Sequence, residues 1–99
     1  MARITFTQRA KADLFRIREY SLGQWGVART ARYLRDMGTC FERLQKNPKL
    51  GRSCDEIYPD LRRIEHGSHV VFYRESAEQI VVSRVLHKSM LPGRHEMED

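Results

Sequence analysis

Two histidines and several arginines in the second half of the chain have side chains suited to acid–base chemistry on a phosphate. The stretch SRVLHKSMLPGRH, residues 83–95, contains Arg84, His87, Arg94 and His95. Imidazole titrates close to neutral pH, so a histidine can act as a general acid or a general base. Arginine can hold a phosphate through two parallel hydrogen bonds. Together with Arg62, this set would supply what cleavage of an RNA backbone needs: a base, an acid and cations that stabilise the charged transition state.

The same stretch also suits a surface that binds a partner without chemistry, or an ordinary solvated end of the chain. Residues 83–86 alternate polar and apolar side chains, which is the period of a half-buried strand. A Pro-Gly pair then breaks the pattern before residue 94. The residue types alone leave all three interpretations open.

Other common catalytic and metal-binding patterns are missing from the sequence. It has no Gly-rich phosphate loop and no Ser/His/Asp pattern, so we expect no cofactor. His66 and His69 have a spacing that can seat a metal, but no carboxylate or cysteine completes the set nearby. We therefore expect a turn with two surface histidines and no metal site. Cys40 and Cys54 lack metal-ligand spacing, and in a reducing cytosol we expect two free thiols.

Length and composition indicate a single small globular domain. The 99 residues are 40% hydrophobic, which suits one folded domain spanning residues 1–99. No apolar run approaches the roughly 20 residues that a membrane helix needs. The N-terminus has no apolar core followed by a small-residue cleavage site, so we expect no secretory signal. These features predict a cytoplasmic protein that does not enter the membrane.

The positive charge is concentrated in the first half of the chain. Residues 1–52 carry 12 Lys or Arg and 4 Asp or Glu, whereas residues 53–99 carry 6 and 9. The net charge of the whole chain is +5, and 14 of the 18 cations are arginine. A basic half indicates an acidic partner, either nucleic acid or an acidic peptide. Solvated helix faces are the alternative, because arginine is also a good helix former.

Hydrophobic periodicity predicts one strand, two helices and three further strands. Arg3–Phe6 has strand character, and Thr7 suits the N-cap of a helix that ends at the glycines around Trp25. A second helix is predicted from Val27 until Pro48 stops it. After a loop over residues 47–60, the three further strands are predicted at Leu61–Glu65, His69–Arg74 and Gln79–Leu86.

The order β-α-α-β-β-β predicts an α+β fold. Its helical hairpin would pack on one face of a small, mainly antiparallel sheet, because no other element is available to cover that face. The opposite face of the sheet would then stay open. Strict alternation along the last strand would place Val82, Arg84 and Leu86 on one face, so that Arg84 interrupts an apolar row.

Several segments resemble the ParE toxins of the ParE/RelE superfamily, the toxic halves of bacterial toxin–antitoxin pairs. The segments, in chain order, are FTQRAKADLFRIREY, QWGVARTARYL, NPKLGR, LRRIEHGSHVVFYR and VVSRVLHKSMLPGRH. The resemblance runs from about Ile4 to His95, and the family fold, a helical hairpin on a small sheet, is the one predicted from periodicity. Leu91 stands where the tail of the family often has aspartate.

The resemblance implies a toxin that binds DNA gyrase, blocks replication and has no catalytic residues of its own. The positions that we expect to contact the target are Arg52, Arg84, His87, Met90, Arg94 and His95. Other family positions have structural interpretations as well. Gly51 suits a turn that needs a positive φ, and Tyr73 suits a buried tyrosine whose hydroxyl is satisfied.

The resemblance also implies a ParD-like antitoxin that keeps the toxin silent. An acidic or amphipathic antitoxin segment would lie along the basic helices, and the complex would bind operator DNA only through the antitoxin. The positions that we expect to contact it are Phe15, Arg18, Trp25, Arg32 and Arg35. Trp25 also has a structural interpretation, as a core residue or a cap of the hairpin.

Two alternative functions stay open on the sequence. The first is a RelE-like ribosome-dependent mRNA endoribonuclease, in which His87 and His95 would do the acid–base work and Arg62 and Arg84 would hold the phosphate. The second is a binding or corepressor module on the same fold without toxicity.

Overall fold

The computed structural model describes residues 1–90 and confirms the α+β class. Its elements are β1 (Arg3–Phe6), α1 (Gln8–Trp25), α2 (Val27–Lys46), β2 (Arg52–Ser53), β3 (Arg62–His66), β4 (His69–Ser76) and β5 (Gln79–His87). The prediction missed β2, because a strand of two residues is too short for periodicity to show. No helix within residues 1–90 is long and apolar enough to cross a membrane.

The five strands form one mixed sheet in the order β1-β5-β4-β3-β2. Strand β1 runs parallel to β5, with Ile4 opposite Ile80, and every other pair of neighbours is antiparallel. Thr7 ties the start of α1 to β5. Its hydroxyl accepts a hydrogen bond from the backbone N–H of Ala10 at 3.0 Å and donates one to the carbonyl of Ser83 at 2.8 Å. The predicted N-cap is therefore confirmed.

The main core lies between the helical hairpin and the sheet. Its buried members are Ala10, Ile17, Met37, Leu44, Val71, Tyr73, Ile80, Val82 and Val85. Each of the larger side chains in this set stabilises the fold by about 1.5–3 kcal/mol through burial. The prediction that the hairpin covers one face of the sheet is confirmed.

The opposite face of the sheet is covered as well, so the expectation of an open face is wrong. The loop between β2 and β3 folds over it and places Cys54 and Leu61 against Val70, Phe72 and Leu86. The reason lies in the composition of this loop. Its Pro and Asp residues predict irregular backbone, but apolar Ile57 and Tyr58 also pack against this second core.

A β-bulge in β5 overturns the predicted alternation of Val82, Arg84 and Leu86. Phe72 pairs with Arg84 and Tyr73 pairs with Val82, so Ser83 is an extra residue on β5. Val82 consequently packs in the helix-side core and Leu86 in the second core. Strict alternation placed these residues on one face, and a single inserted residue is enough to break it.

Candidate partner-binding surfaces

A groove of about 640 Å³ runs between α1 and the end of β5. Apolar and aromatic side chains from both elements line it, including Ile17, Tyr20, Trp25, Leu86 and Met90. Arg84 and His87 also line the groove. The structure thus brings together three residues predicted to contact the target, Arg84, His87 and Met90, and one predicted to contact the antitoxin, Trp25.

A buried ion pair between Asp13 and Arg84 forms part of the groove wall. The side chains of Asp13 and Arg84 are 4% and 12% exposed, and Arg84 Nε donates to Asp13 Oδ2 at 2.7 Å. Arg84 Nη2 donates to Oδ1 at 2.9 Å, and the backbone N–H of Val85 donates to Oδ2 at 3.0 Å. Arg16 Nη2 completes the set with a 2.9 Å bond to Oδ1. This geometry orients Arg84 towards α1, and its predicted contact with the target remains a prediction.

Asp13 was not among the residues predicted from the sequence to be functional, although its position on α1 carries a signal. Asp13 lies three residues after Ala10 and four before Ile17, within the stripe of α1 that is buried. An acidic residue at such a position needs a cationic partner, because a buried unpaired carboxylate is very costly. Arg84, which interrupts the apolar residues of the last strand, was the matching signal.

The hydroxyl of Tyr33 joins α2 to the turn between β3 and β4. It lies 3.0 Å from the carbonyl oxygen of His66 and 3.1 Å from the backbone nitrogen of Ser68, which donates to it. It also lies 2.6 Å from Nδ1 of His69. Burial raises the pKa of the Tyr33 hydroxyl, which therefore stays protonated at neutral pH. His66 and His69 are half-buried rather than the surface histidines expected.

His69, which contacts the Tyr33 hydroxyl, also lines the groove, together with Ser68 and His87. Its ring packs edge-on against that of His87 with the centroids 5.6 Å apart. Burial, followed by the neighbouring imidazoles of His87 and His66, lowers the pKa of His69 below its ordinary value of 6.5. His69 is therefore a neutral imidazole at physiological pH. No functional role for His69 was predicted from the sequence.

The rim of the groove exposes large side chains that can anchor a partner. Tyr20 is 68% exposed and Met90 is 51% exposed. His87 is exposed too, and its Nδ1 lies 2.8 Å from the hydroxyl of Ser89. Trp25 is held from behind, because its ring packs edge-on against Tyr33 at 5.6 Å and the Arg29 guanidinium lies 4.6 Å from its centroid.

A second concave surface, the hairpin cleft, lies between the two helices. It has a volume of about 350 Å³ and is lined by Leu14, Phe15, Arg18, Leu34, Met37, Gly38 and Phe41. Phe15 is 58% exposed at its edge, and the guanidinium of Arg18 lies 5.4 Å from the Phe15 ring centroid. The cleft thus contains Phe15 and Arg18 but not Trp25. Arg32 and Arg35 are exposed on α2 and line neither the cleft nor the groove.

Arg52 and Arg62 lie at a third location, beside the β2–β3 pair. Arg52 is exposed and forms a 2.8 Å ion pair with Glu65. Arg62 Nη1 donates a 2.6 Å hydrogen bond to the carbonyl of Gly51. The two arginines are therefore not assembled with His87. Arg94 and His95, the remaining predicted contacts, lie outside the described residues.

Gly51 is required for close packing, so the expectation of a positive φ there is wrong. The glycines with positive φ within residues 1–90 are Gly26 and Gly67. A Cβ on Gly51 would lie 2.6 Å from the hydroxyl oxygen of Tyr73 and 2.7 Å from the Arg63 carbonyl. That hydroxyl accepts from Gly51 N at 2.8 Å and donates to the Pro48 carbonyl at 2.8 Å. The prediction of a buried, satisfied Tyr73 is confirmed.

The cysteines and the acidic residues form no metal centre in the part of the chain that the structure describes. No group of three or more His, Cys, Asp or Glu side chains within residues 1–90 is arranged to hold a metal ion. Cys40 and Cys54 are free and buried. Burial, followed by the nearby Glu56 carboxylate, raises the pKa of the Cys54 thiol to about 11. Burial also raises the pKa of the Cys40 thiol, so both thiols are protonated at neutral pH in the folded protein.

The fold and these surfaces define a small α+β protein with an apolar concave surface on either side of α1. The family described as "ParE toxin of type II toxin-antitoxin system, parDE" matches residues 4–92. The chain therefore belongs to the ParE toxin family.

Curated relatives agree with this assignment, and a solved structure shares the fold. Toxin ParE1 of Mycobacterium tuberculosis (strain H37Rv) is 39% identical over 90 residues, which cover 90% of this chain and 92% of the relative. Toxin ParE1 of Caulobacter vibrioides (strain CB 15) is 39% identical over 89 residues, with the same coverage. The solved chromosomal ParDE system of P. aeruginosa contains a chain with the same fold. Its TM-score is 0.74 at 20% identity, covering 88% of this chain and 96% of that one.

Proposed function

We propose that this ParE toxin inhibits DNA gyrase by binding to it, without chemistry of its own, and is silenced by a ParD-like antitoxin. The gyrase target follows from what the ParE resemblance implies, and the antitoxin follows from the toxin–antitoxin system to which the family belongs. The observation that carries the proposal is the groove, which assembles Trp25, His87 and Met90 into one apolar surface with a polar wall. Gyrase acts on DNA in the cytoplasm, so the toxin would act there.

The groove has the composition of a protein-binding site. Aromatic residues and methionine are enriched at the centres of protein interfaces, and Tyr20, Trp25 and Met90 occur here together. We assign the groove to the target, because three of the four predicted target contacts within residues 1–90 line it, namely Arg84, His87 and Met90. The fourth, Arg52, lies apart from the groove in an ion pair with Glu65.

The hydrogen bonds of Arg84 and Arg62 support a binding function rather than RNA cleavage. A ribonuclease would use Arg84 and Arg62 to hold the scissile phosphate, with His87 nearby. Both Arg84 hydrogen bonds to Asp13 face α1, and Arg62 donates to the Gly51 carbonyl at a different place on the sheet. Moving Arg84 to a phosphate would leave the Asp13 carboxylate buried with one cation fewer, which costs several kcal/mol.

The hairpin cleft suits the antitoxin. Its lining is mainly apolar, and Arg18, Arg32 and Arg35 are exposed on the same two helices. An amphipathic, acidic antitoxin helix would place its apolar face in the cleft and its carboxylates beside these cations. Because α1 separates the cleft from the groove, an antitoxin that reaches past the cleft to Trp25 would also keep the target out of the groove.

The proposal is tested with purified gyrase and relaxed plasmid DNA. We expect the wild-type protein to inhibit supercoiling, and a Met90→Ala variant to inhibit more weakly because it removes an exposed anchor from the groove rim. Val27→Ala is a matched control, since Val27 is 76% exposed and does not line the groove. In parallel, a translation extract reports on message integrity. Cleaved message with unaffected gyrase would establish the ribonuclease, and no response in either assay, with no growth arrest on induction, would establish the non-toxic module.

A further inference from the structure

The hydroxyl of Tyr33 has three polar neighbours but a single proton to share among them. Ser68 N–H donates to it, and the His66 carbonyl oxygen can act only as an acceptor. Nδ1 of His69 can take either role, depending on the tautomer of the imidazole. The hydroxyl proton therefore goes either to His66 or to His69.

One of the two arrangements satisfies all three contacts. If Tyr33 donates to Nδ1 of His69, the His66 carbonyl loses its bond from the hydroxyl. If Tyr33 donates to the His66 carbonyl, Nδ1 of His69 must carry a proton and donate it to the hydroxyl oxygen, which then accepts from both His69 and Ser68. The second arrangement makes three hydrogen bonds, and each is worth about 0.5–1.5 kcal/mol. A neutral His69 thus carries its proton on Nδ1 and leaves Nε2 as an unprotonated acceptor.

The position of the ring determines what this acceptor meets. Nδ1 is turned towards Tyr33 and α2, so Nε2 lies on the other side of the imidazole, and His69 lines the groove. Nε2 of His66 is buried and has no hydrogen-bond partner. Nε2 of His69 is not one of the buried, unpartnered side-chain atoms within residues 1–90. His66, in contrast, does not line the groove.

We propose that His69 is a specificity-determining residue of the groove, where its Nε2 accepts a hydrogen bond from an N–H or O–H donor on the gyrase segment that docks there. This inference rests on the proposed function. The donor would lie beside apolar contacts with Trp25, Leu86 and Met90, so an amphipathic side chain such as tryptophan or tyrosine is the chemistry that fits. Tyr33 acts through His69 as a positioning residue.

The pH dependence of the contact follows from this arrangement. The titratable and charged groups around His69 are Tyr33 on α2, His66 on β3, His87 and Arg84 on β5, and Asp13 and Arg16 across the groove on α1. Protonation adds a proton at Nε2 and leaves the bond from Nδ1 to Tyr33 in place. The acceptor then becomes a cationic donor, so binding should weaken as the pH falls through the pKa of His69.

Two substitutions separate the roles of the two ring nitrogens. His69→Asn keeps an amide donor near the position of Nδ1 and removes the acceptor at Nε2, whereas His69→Gln places its amide oxygen near Nε2. We expect His69→Asn to lower the affinity for purified gyrase about ten-fold, as the loss of one hydrogen bond would, with His69→Gln binding more tightly than His69→Asn. Val27→Ala, at an exposed position that does not line the groove, is the control, with a change of less than about two-fold.

Two measurements make the inference falsifiable. Nitrogen-15 NMR of the imidazoles at neutral pH should show the Nδ1–H tautomer of His69, and an Nε2–H tautomer would overturn the inference whatever the target is. An Asn variant that binds gyrase as tightly as the Gln variant would overturn it too, as would one that loses only antitoxin binding. If the wild-type protein fails to bind gyrase, the proposed function and the docked segment are both refuted, and the tautomer is still decided by NMR.

Discussion

The guanidinium of Arg84 and the carboxylate of Asp13 form two hydrogen bonds, at 2.7 and 2.9 Å, between residues 71 positions apart in the sequence. The pair joins α1 to β5 at the groove wall. The same carboxylate accepts the backbone N–H of Val85, two residues beyond the extra residue of the bulge. The ion pair therefore fixes the end of β5 against α1, in the segment that leads to His87 and Met90.

Removing the carboxylate should destabilise the protein strongly. In Asp13→Ala the Arg84 guanidinium loses its two hydrogen bonds to the carboxylate, and the buried N–H of Val85 loses its acceptor. We expect the free energy of unfolding, measured by urea denaturation, to fall by about 3–5 kcal/mol. Glu19→Ala, which removes the exposed pair with Arg18, is the control and should cost less than about 1 kcal/mol. Equal effects of the two substitutions would contradict a structural role for the pair.

Gly51 should tolerate no side chain. In Gly51→Ala the new Cβ would lie 2.6 Å from the Tyr73 hydroxyl oxygen and 2.7 Å from a backbone carbonyl, so the chain must shift and strain or break the bonds of that hydroxyl. We expect a loss of about 1–3 kcal/mol in the free energy of unfolding.

Gly23→Ala is the matched control for this substitution. Gly23 lies within α1, and a Cβ there would meet no atom within 4 Å. Alanine is the better helix former, so this variant should gain about 0.5–1 kcal/mol. If Gly51→Ala unfolds at the same urea concentration as the wild-type protein, the close approach to Tyr73 does not constrain the fold.

These sites show which parts of the structure were accessible from the sequence. The helices and the three long strands follow from apolar spacing, and Thr7 from the capping preferences of threonine, because such signals are local. The bulge at Ser83, the covering of the second sheet face and the Asp13–Arg84 pair depend on residues far apart in the chain. One inserted residue in β5 changed the face of every residue after it, and local alternation cannot register that.

Individual residues of the candidate surfaces were predicted from the sequence, but which of them lie on the same surface was not. Chain position linked His87 to Met90, and the structure places both on the groove. Chain position did not reveal that Trp25 also lines the groove, because Trp25 lies on α1, 62 residues before His87 in the sequence. His69 was interpreted as a turn residue, because its contact with Tyr33 joins two elements that the sequence separates by 36 positions.

The stability of the protein should fall on mild acidification because of His69. Its pKa in the folded state is below the ordinary value of 6.5, so the folded protein binds a proton less readily than the unfolded chain. The contribution of neutral His69 to the free energy of unfolding is fully present above pH 6.5. It is lost as the pH falls through the pKa of His69 in the folded state. We expect a plot of unfolding free energy against pH to decline in this range for the wild-type protein and less steeply for His69→Gln. Parallel curves would show that His69 is not perturbed.

The two surfaces that flank α1 should separate under mutation. Phe15 and Tyr20 are both exposed on this helix, at 58% and 68%, but Phe15 lines the hairpin cleft and Tyr20 lines the groove. Phe15→Ala should weaken binding of the ParD-like antitoxin by about ten-fold or more, the typical effect of truncating an aromatic anchor, and leave gyrase inhibition intact. Tyr20→Ala should weaken gyrase inhibition and leave binding of the antitoxin intact.

Each variant is the control for the other, because both remove an exposed aromatic ring from the same helix. Thermal unfolding should differ little between them, so a difference in binding reports on the surface and not on the fold. Loss of both activities in both variants would mean that antitoxin and gyrase share one continuous surface over α1. Phe15→Ala toxin expressed with its antitoxin should arrest growth, because the weakened complex releases toxin whose groove is still intact.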